Sequence, residues 1–195
     1  TVTDFFDNSD SDTLVVTVGN VAPTVEAGSN QSVNEGATVS FSGSSSDPGS
    51  GDSHSILWTY GDGTSATGTL TPSKVYADNG TFTVTLTVTD DDGAATSDTL
   101  VVTVGNVAPT VEAGADQIVQ VDTTVSLAPA TFTDAGSADT HTATINWGDG
   151  TVEAGVVSQS NDTVSGSHVY TSTGEFTVTV TVTDDDSASG SDTLA

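Results

Sequence analysis

Gly80-Thr81-Phe82-Thr83-Val84-Thr85-Leu86-Thr87-Val88-Thr89-Asp90 alternates without a break, with Thr on one side and Phe, Val, Leu and Val on the other. A period of two is the pattern of a strand with one buried and one solvated face. Thr and Val are stiff at χ1 and suit a pleated surface. Asp90-Asp91-Asp92-Gly93 follows as a turn and Thr99 to Val104 alternates again, so the pair reads as a hairpin. Segments around Val39 to Phe41 and at Ile56-Leu57-Trp58 supply further short strands, and no helical period appears. Short strands between turn signals predict an all-β sandwich, with Trp58, Tyr76, Phe82 and Leu86 anchoring a first core.

The same pattern recurs. Ser11 to Gly28 (SDTLVVTVGNVAPTVEAG) is repeated identically from Ser97 to Gly114, 86 residues later. Tyr60-Gly61-Asp62-Gly63 corresponds to Trp147-Gly148-Asp149-Gly150 at an offset of 87. Val75-Tyr76 with its following strand matches Val169-Tyr170 at an offset of 94, so the second copy carries about seven extra residues before that pair. These registers predict three units: residues 1–19, the last strands of a preceding repeat; residues 20–105, one full repeat; and residues 106–195, a second whose last strand is cut short. The opening residues read as mid-strand, which predicts a window taken from a longer polypeptide. A shortened last strand leaves a hydrophobic slot. Either the orphan strands 1–19 of a neighbouring molecule fill it, linking copies into a homo-polymer, or it marks a simple boundary.

Composition removes several function classes. The chain of 195 residues has 27 acidic residues, one basic residue (Lys74), three histidines and no cysteine, for a net charge of −26. Such a charge repels nucleic acid and anionic membranes, and no apolar run is long enough to insert in a bilayer. Without cysteine there are neither disulfides nor thiolate metal sites. His54, His141 and His168 sit with no recognisable nucleophile motif. His54 and His141 occupy equivalent Asp-x-His steps seven residues before Gly-Asp-Gly, where a polar residue opening a strand is the expected role. No enzyme activity is expected.

Together these residues resemble the polycystic kidney disease (PKD) domain family. The resemblance rests on Asn-Val-Ala-Pro at residues 20–23 and 106–109, Gly-Asp-Gly after the Trp58 strand, and Val75-Tyr76 leading into Gly80-Thr81-Phe82-Thr83-Val84 with its Asp-Asp-Asp hairpin. Thr59-Tyr60 departs from the Asp-Phe common there, and Ile145 replaces the Trp of the first repeat, with Trp147 supplying bulk two residues on. The resemblance implies tandem immunoglobulin-like (PKD-type) β-sandwiches, as in extracellular arrays and in spacers of secreted hydrolases.

The acidic residues carry the remaining information. Of the 27, 22 are Asp and five are Glu, and most Asp lie in turns rather than on strand faces. Some simply build Asx turns, Asp62 and Asp149 foremost. Hard cations also need oxygen ligands from such loops, although no EF-hand spacing is present. In an immunoglobulin-like sandwich the entering segment, the loop between the second and third strands, and the last hairpin share one end. That groups Asn20, Asp47, Asp52, Asp90, Asp91 and Asp92 in the first repeat, and Asn106, Asp134, Asp139, Asp184, Asp185 and Asp186 in the second. The opposite end of each repeat carries the Gly-Asp-Gly and Ala77-Asp78-Asn79-Gly80 turns. Carboxylates are therefore expected to crowd at each junction, with Ca²⁺ as the ion that neutralises them; clustered imidazole or thiolate ligands for Zn²⁺ are lacking.

The function expected is a non-catalytic structural or adhesive segment of a large secreted or cell-surface protein, a spacer, fibre or surface-layer component stiffened by calcium. Its partners are neighbouring repeats of the same chain. The alternative is a set of accessory substrate-binding or spacer domains of a secreted hydrolase. Phe5-Phe6 stands where Asp-Asp is found in the later hairpins; packing against the next domain is the expected role, with docking of a partner at an exposed loop tip as the alternative.

Overall fold

A computed structural model describes all residues of the chain except Asn8 and Ala128. Every regular element among the described residues is a strand, so the all-β expectation holds. Among the described residues no helix is long and apolar enough to cross a membrane.

The alternating segment Gly80–Asp90 is the centre of the first sandwich. It pairs antiparallel with Ala95–Gly105 on one side, Phe82 opposite Val102 and Val84 opposite Leu100, and with His54–Thr59 on the other. Ser65–Thr67 extends the sheet at one edge, and Gln31–Asn34 joins the other edge in parallel to residues 102–105. Facing this sheet are two short antiparallel pairs, Thr24–Glu26 with Ser44–Ser46 and Thr38–Ser40 with Ser73–Val75. Val84, Leu86 and Val88 point inward onto Trp58, Val39, Phe41 and Tyr76, all buried. Phe82 is half-buried and stacks on Tyr76 at 4.3 Å between ring centroids.

The same period carries Asp90 onto the buried face, where it is almost fully covered. Its carboxylate is satisfied there, accepting from the Ala94 N–H at 2.8 Å and from Asn20 Nδ2 at 2.8 Å. Asp184 repeats the arrangement with Ala188 and Asn106. The last hairpin and the entering Asn are thereby tied together in each repeat.

The second sandwich has its centre at Val178–Asp184, between His141–Asn146 and Ser189–Leu194. Ile145 and Trp147 are both buried, which confirms the compensation expected for the missing Trp. The extra residues lengthen the strand after the Gly-Asp-Gly turn to Val152–Ser158, which folds back onto Thr163–Ser165. Thr163–Ser165 then pairs with Ala130–Thr133, and that strand with Thr110–Glu112, so one seven-stranded sheet wraps around an edge that is open in the first repeat. At the other edge, residues 117–120 lie outside any strand; the Gln117 N–H donates to the Ala195 carbonyl and the Ala195 N–H to Asp116 Oδ1.

Near the start of the chain Val2–Thr3 pairs antiparallel with Ser9–Asp10, and residues 11–19 are exposed and lie outside any strand. Phe5 and Phe6 lie between the two paired segments edge to face, 97% and 81% exposed.

Candidate metal centre at the joint between repeats

The first repeat presents two turns to the second. One follows Gln31–Asn34, where Glu35 and Gly36 lead out of the strand; the other is Ala77-Asp78. The second repeat meets them with its loop 134–139. The Val107 N–H donates to Glu35 Oε1 at 2.6 Å, and the Ala138 N–H donates to the Ala77 carbonyl at 3.0 Å. Gly36 has φ +71°, and a Cβ built on it would stand 2.7 Å from the Ala135 carbonyl oxygen. Only glycine meets both conditions, since other residues are strained in the left-handed region and would collide across the joint.

This arrangement draws carboxylates together. Glu35, Asp134 and Asp139 each offer an oxygen within 4.8 Å of the other two, and Asp78, Asp139 and Asp186 form a second such triad. Asp139 belongs to both. Its carboxylate folds into the space left by Gly136, where any Cβ would meet it. Both Asp139 oxygens are buried without a hydrogen-bond partner, as are Glu35 Oε2 and Asn106 Oδ1. Glu35 itself is only 2% exposed. Buried charge without a partner is costly, and the ionisation of these groups shows it. Burial, reinforced by Glu35, Asp134, Asp78 and Asp185, pushes Asp139 up to about 6. Burial also raises Glu35, against the pull of the Val107 N–H and with Asp134, Asp78 and Asp186 adding to the rise.

Little in the chain offsets this charge. Lys74 is spent on Asp62, at 2.7 Å. His141 Nε2 lies 3.0 Å from Asp134, and its ring also meets Gln159. Burial opposes the imidazolium, but the bonds to Asp134 and Gln159 leave its pKa raised overall. One histidine, bonded to Asp134, stands beside the five carboxylates of the two triads.

At the corresponding end of the first repeat, Asp47, Asp52 and Asp90 also lie within 4.8 Å of one another. There Asp47 is paired with His54 at 3.0 Å and accepts the Gly49 N–H at 2.8 Å. The His54 bond foremost holds Asp47 below the usual carboxylate range. His54 and His141 thus act as partners for the loop carboxylates. The other residues singled out in the sequence are placed differently. Asp91 and Asp92 are exposed, Asp184 and Asn106 bond each other, and Asp185 caps the Thr140 N–H. Asp186 enters the second triad. Asp62 and Asp149 build turns onto Thr64 and Thr151, as Asx geometry requires.

Sequence reasoning brought the Asp78 turn to the joint but missed Glu35. The signal was present, since Glu35-Gly36 forms a turn at the end of a strand, but a lone Glu in a strand-end turn is ordinary.

Residues 20–104 and 106–195 each match the PKD domain, a non-catalytic immunoglobulin-like module. A microbial collagenase of Vibrio alginolyticus is 36% identical over 76 residues, 39% of this chain and 9% of the collagenase, so the chain spans a small part of that relative. Among solved structures, a glucan-locus protein of Bacteroides ovatus, SGBP-B with a bound heptasaccharide, aligns at TM-score 0.36 and 14% identity over 90% of this chain and 48% of its own. Repeats EC22-24 of mouse cadherin-23 align at TM-score 0.33 and 19% identity over 88% of this chain and 62% of theirs. Two matched regions occupy nearly the whole chain, and the chain belongs to the PKD domain family as a tandem pair of its repeats.

Proposed function

We propose that this chain is a non-catalytic spacer in a large extracellular or cell-surface protein, its repeats set end to end at a fixed angle. The observation that carries the reading is the pair of hydrogen bonds across the joint, Val107 to Glu35 and Ala138 to Ala77. The connector adds stiffness, because Pro109 fixes one backbone torsion in a link of a few residues. A flexible tether would need neither the bonds nor the glycine at position 36. Each of the three histidines bonds an Asp carboxylate.

Small-angle scattering tests the reading. A profile fitted by one fixed inter-repeat angle is the expected result, and Gly36→Val, which wedges the joint, should broaden it toward many angles. If the unaltered chain already requires a wide range of angles, the spacer is a loose string and the reading falls.

A second reading, an accessory domain of a secreted hydrolase, is favoured by the collagenase relative. Both tryptophans and all three tyrosines are buried, so stacking on a polysaccharide would fall to Phe5 and Phe6. Co-sedimentation with insoluble collagen and with β-glucan distinguishes the two readings: retention on either substrate supports the accessory role, and its absence leaves the spacer.

A further inference from the structure

We infer that the joint between the repeats binds a divalent, oxygen-preferring cation, Ca²⁺ above all, held by Glu35 and Asp78 of the first repeat together with Asp134, Asp139 and Asp186 of the second. The inference rests on the spacer reading only in giving that joint a mechanical purpose; the binding itself stands on the geometry.

Three observations point to an ion. The two triads keep their oxygens within 4.8 Å of one another, the span that oxygens on opposite sides of a single Ca²⁺ occupy when each bond is about 2.3–2.6 Å. Glu35 is almost wholly buried with Oε2 unpartnered, and both Asp139 oxygens are buried and unpartnered beside it. Four of the five unpartnered buried side-chain oxygens among the described residues belong to Glu35, Asn106 and Asp139, residues of this joint. A folded chain satisfies its buried polar groups, and exceptions concentrated at one place require a missing partner. The partner must be positive, must accept several carboxylates at once, and cannot come from the chain, whose one basic side chain is bound to Asp62.

The donor set selects the ion. All five side chains are carboxylates, and the His141 ring is already committed to Asp134 and Gln159, so soft or imidazole-preferring metals gain nothing here. The ligands come from separate turns on two domains, which suits the large, adaptable shell of Ca²⁺ better than the near-ideal octahedron and retained waters of Mg²⁺. Since the ligands belong to both repeats, binding requires the docked joint, and by linkage the ion stabilises docking. The cluster Asp47, Asp52 and Asp90 at the far end of the first repeat is a useful contrast: Asp47 pairs with His54 and the Gly49 N–H just as Asp134 pairs with His141 and the Gly136 N–H, but none of its three residues carries a buried, unpartnered oxygen.

The test is calcium titration by calorimetry on the full chain, joined to thermal unfolding with EDTA, CaCl₂ or MgCl₂ at matched ionic strength. Ca²⁺ is expected to bind and raise the midpoint, with Mg²⁺ well behind. Glu35→Gln and Asp139→Asn should weaken binding about tenfold or more, roughly one ligand's share. Both should also raise the midpoint in EDTA, because each removes an uncompensated buried charge; a residue needed only for packing would lower it. Asp91→Asn, on an exposed turn away from the joint, should leave binding unchanged. Equal midpoints with Ca²⁺, Mg²⁺ and NaCl at matched ionic strength, or binding indifferent to Glu35→Gln and Asp139→Asn, overturns the inference. A chain that fails this test yet scatters as a pair at one fixed angle retains its spacer role, so the two failures are separable.

Discussion

The Tyr76 hydroxyl donates to the Tyr60 carbonyl at 2.9 Å, and Tyr170 does the same to Trp147 at 2.8 Å, both buried. Burial pushes the Tyr76 phenol up to about 12, so it remains a donor throughout the working range. Tyr76→Phe leaves a buried carbonyl unpaired and should cost about 1–2 kcal/mol, read as a lower urea midpoint with an unchanged slope. Asp98 and Asp192 are a second matched pair. Their carboxylates accept the Ala27 and Ala113 N–H groups at 2.8 Å, bonds that foremost hold both below the usual carboxylate range. A lowered folded-state pKa stabilises the fold above the unfolded value, near 4, and that stability is lost as pH falls through the folded value. Asp98→Asn should therefore be less stable than the parent at neutral pH, and the two should converge as the pH approaches about 2. A gap of equal size at both ends of that range, in urea titrations, would rule out the charge as the source.

Among the elements, the exposed edge of the second repeat is the informative one. In the first repeat Gln31–Asn34 pairs in parallel with residues 102–105, and Val102 and Val104 close the core. In the second, the matching edge leaves a groove of about 500 Å³ lined by Ile118, Val119, Tyr170, Phe176, Val178 and Leu194. Ala195 stands at the place of Val101, so appending Val-Thr-Val-Gly should let residues 117–120 form their strand. Burying two valines at about 1.5–3 kcal/mol each, less the entropy of ordering both strands, gives a net gain of about 2 kcal/mol and a clearly higher thermal midpoint. An unchanged midpoint would mean that the groove does not accept a strand. Residues 13–18 are an identical copy of residues 99–104 and are exposed throughout. The lengthened Val152–Ser158 hairpin has the opposite effect on its own side, closing an edge by wrapping the sheet.

For the molecule as a whole, self-repulsion at −26 is the dominant long-range force. Screening acts within a Debye length of about 10 Å at 0.1 M salt. Raising NaCl from about 0.02 M to about 0.5 M should lift the thermal midpoint, and KCl should match it, because screening depends on ionic strength rather than ion identity. A large difference between the two salts would show monovalent ion binding at specific sites. Screening of this kind cannot substitute for a partner inside the joint, where Glu35 and Asp139 are shielded from solvent, so calcium should add to the salt effect.

By itself the sequence determined what depends on local period and on repetition. The alternation of residues 80–90 set strand, inward face and hairpin, whereas Asp90, read from sequence as a turn residue and metal ligand, is buried on the inward face and bonded to Asn20 and the Ala94 N–H. The repeat registers located the two sandwiches, and the exchange of Ile145 and Trp147 for Trp58 and Tyr60 was readable because core volume is conserved between nearby positions. The crowding of Asp134 and Asp139 near the Asp78 turn followed from the strand order of the fold. Only the tertiary structure decided that Glu35 joins them, that the extra residues of the second repeat wrap its sheet, and which carboxylates lose their partners. The reason is distance along the chain: Glu35 and Asp139 are 104 residues apart, and no local pattern records that folding will bury both at one interface.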